Sequence, residues 1–252
     1  DVTAIYEIAH QFIDDLADSD PVGATLMGVP GRDHLLTDYD PEGFERLADL
    51  RRRYRHLLTS LRPEHDRDRI ARDGMLEYLE LRDALHDAQE HYYLSGFRNP
   101  ATAMRMVFDL MPRESTNDWS TITQRMAAYP SAIGKYRVLL EHALERGIRS
   151  PRRQISEAIR QLRAYGGATG TAYFVTLASA APETLPVSLK DELTRAAEGA
   201  SQAMLDLADY LAGSAMEAAT ERDGVGEDRY QLSSQAFNGI ELDLRETYEW
   251  GW

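Results

Sequence analysis

Cysteine is absent from the 252-residue chain, which excludes a disulfide framework and a thiolate metal site. No apolar run approaches the roughly 18 residues that a helical membrane span needs. Basic residues are the scarcer charge: 28 Lys and Arg stand against 42 Asp and Glu, for a formal net charge of -14 and a pI near 4.9. Phosphate neutralisation requires clustered Lys and Arg, so nucleic acid is not expected as a partner. No secretory leader pattern occurs in these residues. The chain opens at Asp1 without an initiator methionine, as a trimmed piece would. The expected location is the cytoplasm, with export left open. No low-complexity linker, internal repeat or convincing strand series is found either.

What remains is helical periodicity. The spacing predicts a first helix from about Val2, with Ile5, Ile8, Phe12, Ile13 and Leu16 on one face. Asp20-Pro21 opens a short second helix that stops at Gly28, and Asp40-Pro41 opens a third, carrying the run Arg51-Arg52-Arg53. In so acidic a chain that run reads as a solvated face paired with nearby acids. Asp66 or Asp68 is expected to cap a long helix that continues to Tyr92 and stops at Ser95-Gly96. Thr102 to Leu110 reads as a short helix. Asp118 is expected to cap another, and Tyr129-Pro130 to restart the chain as a separate one. Ser150-Pro151 reads as a cap with an N1 proline. Gly166-Gly167-Ala168-Thr169-Gly170-Thr171 follows a helix, and no lysine follows its last glycine, so it reads as a helix C-cap and turn rather than a phosphate loop. A helix from Ser188 to about Ala219 completes the run, its small residues Ala197, Ala200 and Ala203 allowing a close neighbour.

The pattern is all-α: roughly eight to ten helices packed as an irregular bundle over residues 1–252, with a possible hinge at 166–186. At the end, Asp243 with Glu246 forms a helix start, and the helix would finish on Trp250 and Trp252. So short a helix is marginal alone and leaves its rings uncovered. The expectation is the front part of a longer protein, whose missing remainder is a partner.

Several groups could carry chemistry. His86 and His91 lie five residues apart, which on one helix turns them roughly 140° from each other, so a shared metal would require a break in the helix. His10 with Asp14 is better spaced but supplies only two ligands. No serine sits in a Gly-x-Ser-x-Gly turn. No catalytic residue and no metal ligand is assigned. Arg98, on the stiff turn Arg98-Asn99-Pro100, and Tyr230, after the glycine turn Asp223-Gly224-Val225-Gly226, are the candidate substrate-binding residues. The plainer alternative is that Arg98 and Asn99 tie helix ends together and that Tyr230 packs in the core.

The segments Asp20-Pro21-Val22-Gly23-Ala24-Thr25-Leu26-Met27-Gly28, Phe97-Arg98-Asn99-Pro100, Gly147-Ile148-Arg149-Ser150-Pro151-Arg152-Arg153 and Asp223-Gly224-Val225-Gly226 with Tyr230, together with the Asp243 helix start, occur in one order across nearly the whole chain. In this the chain resembles the N-terminal half of the bacterial domain-of-unknown-function family eight-eight-five, which is similar to helical zinc carboxypeptidases. The resemblance implies a zinc-dependent metallopeptidase acting on a peptide substrate, with a His-Glu zinc motif in the C-terminal half. Nothing in this chain matches that motif, so zinc is implied for the longer protein and not for these residues. They would form a wall or lid of the peptide cleft. The rival expectation is a non-catalytic helical interaction or scaffold protein.

Overall fold

The computed structural model describes residues 3–252. The chain is all-α. Eleven α-helices follow one another among the described residues: α1 (Ala4–Ser19), α2 (Pro21–Met27), α3 (Pro41–Ser60), α4 (Asp66–Asp87), α5 (Pro100–Met106), α6 (Thr116–Glu145), α7 (Arg152–Gly166), α8 (Tyr173–Ser179), α9 (Val187–Tyr210), α10 (Glu227–Asn238) and α11 (Leu244–Gly251). The only extended pairing among them is an isolated bridge between Pro151 and Thr220. No described helix is long and apolar enough to cross a membrane. The expected start at Val2 lies outside the described residues.

The chain divides into two compact units. The first holds residues 3–15, 47–91 and 222–252. There Phe12 packs edge-on against Tyr54, centroids 5.1 Å apart, and the Tyr54 hydroxyl donates to Asp15 at 2.6 Å. The Arg51-Arg52-Arg53 run is paired as its acidic setting required. Arg51 and Arg55 reach the two oxygens of buried Asp83 at 3.3 and 3.0 Å, Arg52 meets Asp49, and Arg53 meets Asp15. Desolvation pulls the Arg51 pKa down, against the hydrogen bond that it donates to Asp83.

The second unit holds residues 16–46 and 92–221, and its core is built on α6 against α9. The α6 stripe Trp119, Ile122, Met126, Tyr129, Ile133, Tyr136 and Leu140 keeps a four-three spacing without interruption and is buried along its length. That register explains why Pro130 does not end the helix as the sequence suggested. Breaking there would uncover half the stripe, so burial outweighs the cost of an interior proline, about 3 kcal/mol. On α9, Ala196, Ala197, Ala200 and Ala203 are buried, so small side chains line the contact as expected. α7 closes on α9 at Gly166, where an added Cβ would lie 2.7 Å from the Leu205 side chain and 3.2 Å from the Ser201 carbonyl. Gly167, at φ 95°, then takes the left-handed turn that ends α7.

Several boundaries move. α6 is capped by Ser115, with Asp118 as the reciprocal N3 partner of a capping box rather than as the cap. His65, without a side-chain bond, precedes α4, while Asp68 is buried and accepts from Thr3 at 3.0 Å. Ser150 does not cap α7; Pro151 holds that position, and the Ser150 hydroxyl accepts the Leu94 N–H at 2.8 Å. Pro186, not Ser188, precedes α9. Asn99 caps α5 by accepting from Thr102, which pulls its start forward to Pro100.

Candidate functional site

In the second unit a groove runs along the flank of the α6–α9 contact. One section, about 410 Å³, is lined by Ser120, Gln124, Ala127, Glu192 and Arg195 over a floor of Thr123 and Ala196. A second, about 350 Å³, continues past Gly134, Arg137, Gln202 and Asp206 over Ile133 and Ala203. Pro130 and Gly199 belong to both sections.

The sequence makes this groove by withholding bulk. Ala127, Pro130 and Gly134 are spaced three and four apart on α6, and Arg195, Gly199 and Gln202 likewise on α9. The Pro130 ring lies 3.7 Å from where a Cβ on Gly199 would be, so the helices touch there and the space opens outside that contact. Pro130 also has no N–H to give the carbonyl of Met126.

Most polar groups along it are already committed. The Thr123 hydroxyl donates to the Trp119 carbonyl at 2.7 Å, the Gln124 amide to Ser120 at 3.3 Å, and the Gln202 amide to Asp206 at 2.8 Å. Arg137 pairs with Glu141 at 2.8 Å and lies over the Tyr210 ring at 4.7 Å. Arg195 differs: it is exposed on the groove rim and enters no ion pair or hydrogen bond among the described residues. A guanidinium so placed can take a carboxylate in a bidentate fork. Sequence reasoning missed it because Arg195 sits between Glu192 and Glu198 on an acidic helix. The absence of bulk at Ala127, Pro130, Gly134 and Gly199 was the available signal.

The two residues singled out from the sequence lie elsewhere, in different units. Arg98 is exposed in the second unit, on a turn fixed from within: its N–H donates to the Ser95 hydroxyl at 3.1 Å, and Asn99 donates to the Ser95 carbonyl at 3.0 Å. Tyr230 belongs to the first unit, near the start of α10, and is 58% exposed rather than packed in a core. Beside it, Arg229 grips Glu90 with two bonds, one of them 2.9 Å.

His86 and His91 do not share a helix. α4 ends at Asp87, Gln89 takes φ 59°, and a single tight turn covers Glu90–Tyr92. The break brings the two imidazoles face to face, centroids 4.8 Å apart and 6° from parallel. Among the described residues no group of three or more His, Asp or Glu converges as a metal site, and a stacked pair supplies two ligands at most. These residues do not fit a zinc centre.

The glycine segment after α7 is clasped from outside. Arg105 of α5 lies between Tyr165, before the segment, and Tyr173, after it, 4.8 and 4.6 Å from the ring centroids. Its guanidinium meets Asp109 at 3.0 Å, and the Tyr173 hydroxyl donates to the same carboxylate at 2.6 Å. Burial, then that bond, pushes the Tyr173 phenol up. The segment thus lies pinned between two helices, with no phosphate-loop geometry.

The comparison with protein families matches residues 21–252 to the model described as "Bacterial protein of unknown function (DUF885)". No curated protein matches the chain.

Proposed function

The chain belongs to DUF885, a bacterial family of unknown function, and from that premise we propose that it is the helical cleft wall of a zinc-dependent, carboxypeptidase-like metallopeptidase. The observation that carries this reading is the α6–α9 groove with the uncommitted Arg195 on its rim. From Ser120 to Arg137 the helix rises roughly 25 Å, the length of about seven extended residues. Arg195 would hold a peptide's terminal carboxylate, and the side-chain carbonyls of Gln124 and Gln202 would accept from its backbone N–H groups. Arg98 is kept as a candidate contact for a carboxylate in the second unit, and Tyr230, separately, as one for a carbonyl in the first.

Zinc, when bound, would polarise the scissile carbonyl and activate water. The residues described above hold no donor set for it, so in this reading the metal lies in other parts of the whole protein. What this chain contributes is binding and orientation.

Two measurements test the reading. Calorimetry with a heptapeptide bearing a free carboxylate should show binding that weakens about tenfold on Arg195→Gln, the loss of one charged hydrogen-bonded contact. C-terminal amidation should cost as much, and equal binding of acid and amide would remove Arg195 from the site. Separately, the protein as made in its source organism should carry zinc and cleave that peptide in a chelator-sensitive way. A zinc-free protein whose activity or inactivity ignores chelators overturns the peptidase reading.

A further inference from the structure

The α6–α9 groove carries a second uncommitted charge, opposite in sign to Arg195. Asp206 lines the second section, is exposed and enters no ion pair among the described residues. Its one partner is neutral: the Gln202 amide donates to Oδ1 at 2.8 Å, which orients the carboxylate without cancelling its charge. The basic group of that section, Arg137, is taken by Glu141 at 2.8 Å and by the Tyr210 ring. The next acid along α9, Asp209, is by contrast met by Arg163 at 3.4 Å.

The spacing of the two charges amounts to a length. Arg195 and Asp206 are eleven residues apart, three turns of α9 to within about 20°, so both stand on the groove side of the helix. The rise between them is about 16 Å. An extended peptide advances about 3.4 Å per residue, so about five residues would set its terminal carboxylate on one charge and its terminal ammonium on the other. Little stands in the way: Gly199 has no side chain, and Ala127 and Gly134 across from it add little.

The charges also give a direction. Glu192, one turn before Arg195, lines the first section and likewise enters no ion pair among the described residues. It repels a carboxylate that moves past the arginine. The carboxyl end of a peptide therefore stops at Arg195, and its amino end points towards Asp206.

We propose that the groove takes short peptides of about five residues with both ends free, Arg195 holding the carboxylate and Asp206 the ammonium. This deepens the peptidase reading and rests on its assignment of Arg195. It makes the substrates small oligopeptides rather than the tails of proteins.

The test is calorimetry on the whole protein as made in its source organism, with peptides of alanine and serine from three to eight residues long, free, N-acetylated or C-amidated. Affinity should peak at about five residues. N-acetylation of the pentapeptide should weaken binding about fivefold, the upper range for an exposed ion pair. The free octapeptide, whose ammonium lies past Asp206, should bind no better than the acetylated pentapeptide. Asp206→Asn should weaken the free pentapeptide by the same factor and leave the acetylated one unchanged, so that acetylation no longer costs affinity; a merely structural role would weaken both alike. Asp206 is exposed, so helix content should be unchanged. The proposal is overturned if free and acetylated pentapeptides bind equally, if five and eight residues bind equally, or if the acetylation penalty survives in Asp206→Asn. Where C-terminal amidation still weakens binding in those cases, carboxylate recognition at Arg195 stands and only the two-ended reading falls. If no peptide binds, as when another part of the protein covers the groove, both fall.

Discussion

Arg125 sits at the middle of α6 with none of its side chain exposed. Its Nε donates to the Leu35 carbonyl at 2.8 Å, and one terminal nitrogen to the Thr25 hydroxyl at 2.8 Å and the Pro21 carbonyl at 3.2 Å. It thereby fastens α2 and the loop after it to the core. The nearest carboxylate, Asp33, stands 3.9 Å away. Desolvation, only partly offset by Asp33, lowers the Arg125 pKa to about 10, which still leaves the guanidinium charged at neutral pH. Arg125→Met would fill much of the volume but strand the three acceptors in the interior. The expected loss is about 2–4 kcal/mol in a urea melt, with the slope of the transition unchanged. Arg125→Lys should lose nearly as much, because a single ammonium cannot reach Leu35 and Thr25 from one fork. A variant within 0.5 kcal/mol of the parent, a shift of about the size of a surface change, would show that the contacts are incidental. From sequence alone this residue was invisible: an arginine in an amphipathic helix reads as surface, and only the fall of 122, 126 and 129 around it hints otherwise.

At the level of elements, Gly166 makes the sharpest case. Helix propensity alone favours alanine there by about 1 kcal/mol. The packing says the opposite, since an added Cβ would meet Leu205 and the backbone of α9. Gly166→Ala is therefore expected to destabilise by about 1–2 kcal/mol in thermal unfolding, an overpacking cost larger than the propensity gain. Measured stabilisation would mean α7 can slide off α9 freely. Stripes and some termini were legible beforehand, because they depend on neighbours in sequence: Asp243 caps α11 and Gly28 ends α2 in the left-handed region, whereas the caps expected at Asp66 or Asp68, Asp118, Ser150 and Ser188 moved. What sequence misjudged depended on partners far along the chain. Pro130 read as a boundary because its local cost was visible, whereas the α9 surface that holds α6 continuous across it was not. On α4, Ile70 is 66% exposed, and the helix buries Asp68, Leu79 and Asp83. The histidine pair went the other way: a uniform helix would separate the rings, and only the left-handed Gln89 stacks them. The groove was harder still, since a site made by missing side chains has no motif.

For the molecule as a whole, the burial of tyrosine sets how the fold ends at high pH. The Tyr129 and Tyr136 phenols are raised by burial, and Tyr39 is raised by burial first and by Asp20 second. In the unfolded chain these phenols would ionise near the ordinary value of 10. Above that pH the unfolded state gives up protons that the folded state retains, so fewer protons are bound in the unfolded state and stability must fall as pH rises. Their contribution is intact below pH 10 and is lost progressively beyond it. Tyr129 and Tyr136 lie in the core of the second unit, so they cannot ionise one at a time without opening it. Tyr129 donates to the Ala101 carbonyl at 3.1 Å and meets Phe174 edge to face, centroids 4.8 Å apart. A phenolate absorbance titration should accordingly show a late, steep step that coincides with loss of the helical circular dichroism signal. Tyr129→Phe should remove part of that step and shift the remaining unfolding to higher pH, at a modest cost at neutral pH from the unsatisfied Ala101 carbonyl. If instead all phenols titrated smoothly while the helices persisted, the second unit would have to open locally around its largest buried rings, and the continuous α6–α9 core would not be the cooperative element that the rest of the chain folds upon.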